Sequence, residues 1–448
     1  MDDYLRLADR IAADIASGRL KPGQRLPPQR AFARRRGIAA STAGRVYGEL
    51  VRRGLVVGEV GRGTFVRATP PATGDGRALT EPPHPATTTA PALVNLELNY
   101  PTAPGQSALL TPALTSLLGD PAALTGTLGP AAATGTPEAR AAAARLLTAP
   151  GWRPGPDRVL FTGNARQSIA AALASLVRPG GRVGVEPLTY PLVKEIAARL
   201  GITLVPLTAD DEGLLPESVA AAHRTAPLSA LYLQPTLHNP TSLTTPEPRR
   251  EAIAGTVTGL GLPVVEDRIW SFLRPGPPLA ALAPGLTHVV DGLSKRVAPG
   301  LTVGFLVVPE ERVPAVAAAI RSGGWSAGGF ALAAAVRWTE DGTVARLVAA
   351  KRTEAARRQR LLAARLRGFP VRSDPYACYG WWELPAPWRA DTFTAAAAAH
   401  GIAVTPGPSF AVDPARTPNA VRLGLASAPE PDLDRALRTL AELARRGP

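Results

Sequence analysis

The chain has 448 residues, 45% of them apolar, and a formal net charge of +14 from 50 Lys/Arg against 36 Asp/Glu. That length is a prior for two or three domains, and that apolar fraction is ordinary for a globular protein with a sizeable core. A single cysteine, Cys378, excludes an intrachain disulfide, no run reaches the roughly 18 apolar residues of a membrane helix, and the acidic opening MDDYLRLADR lacks a secretory apolar stretch, so a soluble cytoplasmic protein with no membrane attachment is expected.

The charge is uneven. Residues 1–67 hold 14 Lys/Arg against 6 Asp/Glu, whereas the remaining 381 residues hold 36 against 30. A concentrated basic block is the electrostatic footprint of polyanion binding. An arginine- and alanine-rich composition also follows from a GC-rich genome, so charge alone leaves plain solubility equally open.

Tyr4, Leu7, Ile11 and Ile15 recur at helical spacing and predict an amphipathic helix over 3–17, stopped at Gly18. After the turn-rich LKPGQRLP, Pro28 opens a short second helix, PPQRAFARRRG, closed by Gly37. Ser41 is a good N-cap for a third helix in which Ala43, Val46 and Leu50 face the core and Thr42, Arg45, Glu49 and Arg52 lie on another face. LVVGEVGRGTFV then reads as a hairpin around Gly58 to Gly63. Three helices and a hairpin make a winged helix-turn-helix, whose second motif helix enters the DNA major groove. Ser41, Thr42 and Arg45 are placed to reach DNA, Arg30 and Arg34 to Arg36, including Arg35, to meet phosphates, and Arg62 and Gly63 to sit at the wing tip. The other reading is a generic three-helix domain with solvated arginines.

The combination LPPQRAFARRRGI-x2-ST-x2-RVYGEL-x2-RGLV-x4-GRGTFV resembles the GntR family of bacterial regulators over residues 4–67. The resemblance implies operator binding to double-stranded DNA. It departs at Ala39-Ala40, where the family usually carries Ser-Arg or Thr-Arg, and Gly44 weakens the recognition helix by roughly 1 kcal/mol relative to alanine.

Residues 68–92 are crowded with Pro, Thr and Ala and read as a semi-extended linker, dividing a domain of residues 1–67 from one of residues 93–448. From Leu93 onward short apolar strands (RVLFTG, RVGVEP, LYLQP, LPVVED, HVVDGL, VGFLVVP) alternate with Ala-rich helices, predicting an α/β layer with a mostly parallel sheet over 93–369. Beyond residue 370, GWWELP, IAVTPG and VRLGLA predict a smaller α+β subdomain, 370–448.

Only four of the 50 basic residues are lysines: Lys21, Lys194, Lys295 and Lys351. Lys295 follows an apolar run and precedes a Pro-Gly turn. A lysine amine can lose its proton and attack a carbonyl, which arginine does not. A pyridine cofactor needs such a lysine to form an imine, a carboxylate on the ring nitrogen (Asp267, in VVEDRIW) and an aromatic ring to stack (Tyr190, in GVEPLTYP). It also needs a polar contact to the ring hydroxyl (Asn239, in LHNPTS) and a strand-to-helix turn offering N–H groups to the phosphate (TGNARQ). Taken singly, Asp267 reads as a strand-end cap, Tyr190 as core, Asn239-Pro240 as a turn and Lys295 as a surface residue. Order and spacing together carry the cofactor reading.

The series TGNARQ, VEPLTYP, HNPTS, VVED, SK-x3-PGL, VRLGL resembles the fold type I, aspartate aminotransferase-like pyridoxal-phosphate (PLP) domain over most of residues 93–448. Joined to the GntR-like N-terminus, it resembles the MocR subfamily of regulators. The resemblance implies a homodimer in which Lys295 is the Schiff-base lysine, Asp267 partners the pyridine nitrogen, Asn239 faces the ring hydroxyl and Tyr190 stacks. It makes Asn164, Ala165 and Arg166 the phosphate turn and Arg422 the clamp on a substrate carboxylate. Three positions depart: Gly292 replaces a Ser or Thr, Thr302 replaces an arginine, and Ile269 and Trp270 stand where a tyrosine belongs. Arg296 is the expected compensation at the phosphate, and the Trp270 indole the remaining donor to the ring hydroxyl. No metal site is expected. The expected function is a DNA-binding regulator that senses an amino compound by aldimine exchange at Lys295. The alternatives are a working aminotransferase and a cofactor-free dimerisation scaffold.

Overall fold

The computed structural model describes residues 3–21, 23–59, 63–67, 94–414 and 416–447. The expected linker, residues 68–92, and the wing-tip Arg62 lie outside the described residues. In the N-terminal part, helices Asp3–Ala16, Gln29–Arg36 and Ala40–Arg52 pack around Ile11, Phe32, Val46, Tyr47 and Leu50. Strands Val56–Glu59 and Gly63–Val66 pair antiparallel to form the wing. The connector before the second helix joins that wing, where Leu26 N–H donates to Thr64 O at 2.8 Å, and the third helix, where Tyr47 Oη donates to Pro27 O at 2.5 Å. Gly37, at φ 63, ends the second helix in the left-handed conformation that suits a residue without Cβ.

Two expectations for the third helix are corrected. It starts at Ala40 with Ala39 as an N-cap that makes no side-chain bond, so Ser41 lies exposed in the first turn and caps nothing. Glu49, expected on the polar face, is buried. Its carboxylate accepts from Arg52 Nε at 2.7 Å and Arg53 Nε at 2.7 Å, and those hydrogen bonds hold it down to about 2. Arg53 also reaches Asp9 of the first helix, so the acid is tucked inward by the contact between the two helices.

In the larger part, seven strands pair in one sheet among the described residues, in the order Val159–Thr162, Gly304–Val307, Thr287–Gly292, Val264–Asp267, Ala230–Leu233, Arg182–Val185, Thr203–Pro206. Only Gly304–Val307 runs antiparallel to its neighbours. Gly304–Val307, Thr287–Gly292, Val264–Asp267 and Ala230–Leu233 are buried along their whole length, as sheets covered on both faces require. A second, antiparallel sheet, Val371–Ser373, Tyr379–Glu383, Ala420–Gly424 and Thr405–Pro406, packs on its own core of Trp382, Phe393, Leu423 and Leu437.

Candidate functional site

In a parallel sheet, ligands bind beyond the carboxyl ends of the strands. Here those ends deliver the predicted residues to one cavity. Asn164, Ala165 and Arg166 follow Val159–Thr162, Tyr190 follows Arg182–Val185, and Asn239 follows Ala230–Leu233. Asp267 ends its strand with Trp270 just beyond, and Lys295 follows Thr287–Gly292. The antiparallel strand begins at that same edge and brings Thr302 in just before Gly304. Arg422 enters from the small sheet on the opposite side.

Lys295 Nζ donates to Asn99 O at 2.8 Å and lies 3.7 Å from the Tyr100 ring centroid and 5.2 Å from that of Trp270. Burial lowers its pKa to about 7, and the cations of Arg422, Arg166 and Lys351 push the same way. A buried ammonium without a carboxylate partner sheds its proton more readily than an exposed one. Burial therefore favours the neutral, nucleophilic amine over the ammonium.

Asp267 is buried on a central strand. Tyr232 Oη donates to its Oδ2 at 2.7 Å and the Ile269 N–H to its Oδ1 at 3.0 Å, while burial pushes the carboxyl up to about 6. A cationic ring nitrogen beside it would restore the ionised form.

Whether the residues suit pyridoxal phosphate can be judged from what they leave unpaired. Asn164 caps the 12-residue helix Ala165–Leu176 by accepting from the Gln167 N–H at 3.1 Å, which leaves the first N–H groups of that helix at the cavity with Arg166. The buried Thr302 Oγ1 and both ends of the Asn99 side-chain amide have no hydrogen-bond partner. Ser294 adds a hydroxyl. An imine-forming amine, a carboxylate opposite, a stacking ring and a donor-rich helix start match the cofactor's parts, so the site fits it.

Arg296 does not belong to this set. Its guanidinium pairs with Asp291, with Nε 3.3 Å from Oδ1, and lies 5.3 Å from the Phe272 centroid, turned away from the cavity. The expected compensation at the phosphate is therefore overturned: Asp291 is buried and takes this arginine as its counter-ion. Gly292 has its own physical reason. A Cβ there would meet the main-chain O of Val303 at 3.0 Å, so a Ser or Thr needs the strand behind it to shift.

Arg422 is buried and donates to Asn239 Oδ1 at 3.2 Å, to Thr405 Oγ1 at 3.3 Å and to the main-chain O of Glu97, while its Nε has no partner. Asn239 is fixed through its N–H, which donates to Gln234 Oε1 at 2.9 Å. Sequence reading missed Glu97, Asn99, Tyr100 and Gln234 as cavity walls, Tyr232 as the support of Asp267, and Lys351, whose Nζ donates to Lys295 O. The rarity of lysine that singles out Lys295 would have flagged Lys351 too. The stretch ELNY carries no comparable signal.

On the N-terminal part, Arg30, Arg34, Arg35 and Ser41 are exposed, Thr42 is half-buried, and Gly63 pairs opposite Glu59 in the wing. Arg45 lies 3.9 Å from the Tyr4 ring centroid. Among the described residues, no helix is long and apolar enough to cross a membrane, and no group of His, Cys, Asp and Glu could hold a metal ion.

The sequence pattern of aminotransferase class I and II matches residues 94–440. The chain belongs to that family. Residues 3–66 match the gntR family of bacterial regulatory proteins, so the aminotransferase-like domain is joined to a DNA-binding one, the arrangement of MocR regulators. The uncharacterized HTH-type transcriptional regulator YdeF of Bacillus subtilis (strain 168) is 28% identical over 94% of this chain and 90% of its own. HTH-type transcriptional regulator TauR of Rhodobacter capsulatus is 28% identical over 70% of this chain and 69% of its own. Among solved structures, an archaeal alanine:glyoxylate aminotransferase shares the aminotransferase-like fold with a TM-score of 0.72, at 20% identity over 81% of this chain and 92% of its own.

Proposed function

We propose that this transcription regulator binds pyridoxal phosphate at Lys295 and responds to an amino compound that displaces the lysine bond. The observation that carries the reading is the convergence on one cavity of a buried Lys295 with Asp267, Asn239, Tyr190, Arg166 and Arg422. When bound, the cofactor supplies an electrophilic aldehyde carbon on an electron-withdrawing ring. The chain's residues do the rest. Lys295 offers the neutral amine, Asp267 holds a proton on the ring nitrogen, and Tyr190 covers a ring face. Asn239 and the Trp270 indole meet the ring hydroxyl. The helix start at Ala165 and Arg166, with the Ser294 and Thr302 hydroxyls, takes the phosphate. Arg422 anchors the effector's carboxylate.

Transmission to DNA needs two arrangements that bind the effector with different affinity. A contact route supports this. Arg422 lies on Ala420–Gly424; the preceding Asn419 accepts from the Ala390 N–H at 2.8 Å and donates to Trp388 O at 2.8 Å. Next along, the Arg389 guanidinium lies 3.9 Å from the Phe65 ring of the wing, and Thr417 Oγ1 donates to Gly58 O at 2.5 Å. The functional units are residues 1–67 for DNA, 68–92 as tether and 93–448 as a cytoplasmic, homodimeric sensor.

The test is the absorbance spectrum of the protein with pyridoxal phosphate, wild type beside Lys295→Ala. A long-wavelength band in wild type alone supports the reading; no band, or one band in both, overturns it. Promoter-DNA mobility with and without amines then reads the coupling.

A further inference from the structure

The cavity contains one charged group that binding the cofactor and a simple amino acid does not use. Glu97 lines the wall with Lys295, Asn239 and Arg422, yet its carboxylate makes no hydrogen bond or ion pair with any described residue. The main chain holds it firmly in place. Asn95 Oδ1 accepts from the N–H groups of Glu97 at 2.8 Å and Leu98 at 3.0 Å, Leu96 N–H donates to Ala403 O at 2.8 Å, and Gly424 N–H donates to Leu96 O at 2.7 Å. Arg422 itself donates to Glu97 O. The segment is thereby bound to the strand that carries the carboxylate anchor.

The other charges lining the cavity have work in the proposed chemistry: Lys295 for the imine, Asp267 for the ring nitrogen, Arg166 for the phosphate and Arg422 for the effector's carboxylate. An unpaired acid near that anchor has a consequence. A ligand carboxylate drawn to Arg422 makes ionising Glu97 costlier still, unless the ligand brings its own cation. The state of Glu97 fits a group awaiting one: burial pushes it up to about 7 and Arg422 only partly offsets this, so an incoming ammonium would favour the ionised form.

We propose that the effector is a diamino carboxylic acid, with its carboxylate on Arg422 and its second ammonium on Glu97, and that Glu97 is the residue that selects it. This rests on the reading above that an amino compound displaces the lysine bond. A dicarboxylic amino acid brings no such cation and places a second acid beside Glu97.

The experiment titrates full-length, cofactor-loaded protein with L-ornithine, L-lysine, L-norvaline, L-norleucine and L-2-aminoadipate, following the long-wavelength band and, independently, binding heat. Ornithine or lysine is expected to half-saturate at a concentration roughly tenfold or more below its uncharged counterpart, the size of one charge-assisted hydrogen bond, with aminoadipate weakest. Glu97→Gln, close in size, is expected to erase that gap by weakening the diamino acids alone. Equal response to the uncharged pair, or a gap unchanged in Glu97→Gln, overturns this inference and leaves the sensor reading standing. No response to any of the five, with the band present, overturns this inference, and a band that no amine shifts overturns the sensor reading as well. Should Glu97→Gln fail to fold, the wild-type ranking decides alone.

Discussion

Lys351 Nζ donates to the main-chain carbonyls of Lys295 at 3.0 Å and Val297 at 2.6 Å, so one buried lysine caps the four-residue helix that carries the other. The last carbonyls of so short a helix have no partner within it, and an ammonium with three donors supplies them. Lys351→Met leaves two buried carbonyls unpaired, at a cost of about 1–3 kcal/mol read from denaturant midpoints. It also removes a cation that lowers the Lys295 pKa, so cofactor capture in this variant is expected to move to higher pH. An unchanged profile with lowered stability would make Lys351 purely structural.

The pH dependence of capture follows from the burial of Lys295. The reacting species is the neutral amine, so the rate of band formation is expected to rise through about pH 7 and level off above it. For stability, the folded pKa lies below the unfolded one. The cost of burying Lys295 is therefore full below about 7 and fades as pH rises through the alkaline range, where the unfolded chain binds the extra proton. Stopped-flow absorbance between pH 5.5 and 9 checks the first statement; a midpoint near that of free lysine would contradict it.

The lost arginine at Thr302 can be restored. The Thr302 hydroxyl lies at the cavity with no partner, just before the strand Gly304–Val307. A guanidinium there would add a charge-assisted bond to a phosphate, and Thr302→Arg is expected to tighten pyridoxal phosphate by roughly tenfold or more in equilibrium dialysis. Lys295→Ala in the same background isolates the phosphate contribution. A loss of affinity would mean the arginine has no room.

What was legible in the sequence is what lies close together along it. The strands before TGNARQ, VEPLTYP and HNPTS, and those carrying VVED and leading to SK, end where their apolar runs end, and each run is followed by the residue it delivers. Arg422 came from resemblance alone. Three kinds of feature were not legible. The wall Glu97 to Tyr100 reaches the site through its pairing with the small sheet, hundreds of residues later. The inward turn of Glu49 and the pairing of Arg296 with Asp291 depend on counter-ions that a helical wheel does not show. Ser41 does not cap because the helix extends two residues further back, to Ala40, with Ala39 at the boundary.

Arg34 and Arg35 lie exposed in the last turn of the second helix. If each neutralises one phosphate, Arg35→Ala lowers the slope of log affinity against log salt by about 0.9, and the double variant by about twice that. The weakening should be uniform across operator variants, because phosphate contacts carry no sequence information directly. Fluorescence anisotropy at several salt concentrations measures both.

The wing contact gives the sharpest test of communication between the two parts. Phe65 is on the wing and Arg389 precedes the helix Ala390–Ala399. The Arg389–Asp391 pair, with Nε 3.1 Å from Oδ1, keeps the guanidinium in place whatever faces it. Phe65→Leu therefore removes the ring without unpairing the arginine, a loss of about 0.5–2 kcal/mol between the parts. Thr417→Val removes the hydroxyl that donates to Gly58 O. Neither residue lines the cofactor cavity, so amine titration of the band should stay as in wild type. The ratio of DNA affinities with and without effector should fall toward one in the double variant, because a coupling free energy cannot exceed what the two arrangements differ by at the joint. A full effector response in the double variant would show that the signal leaves the sensor by another face.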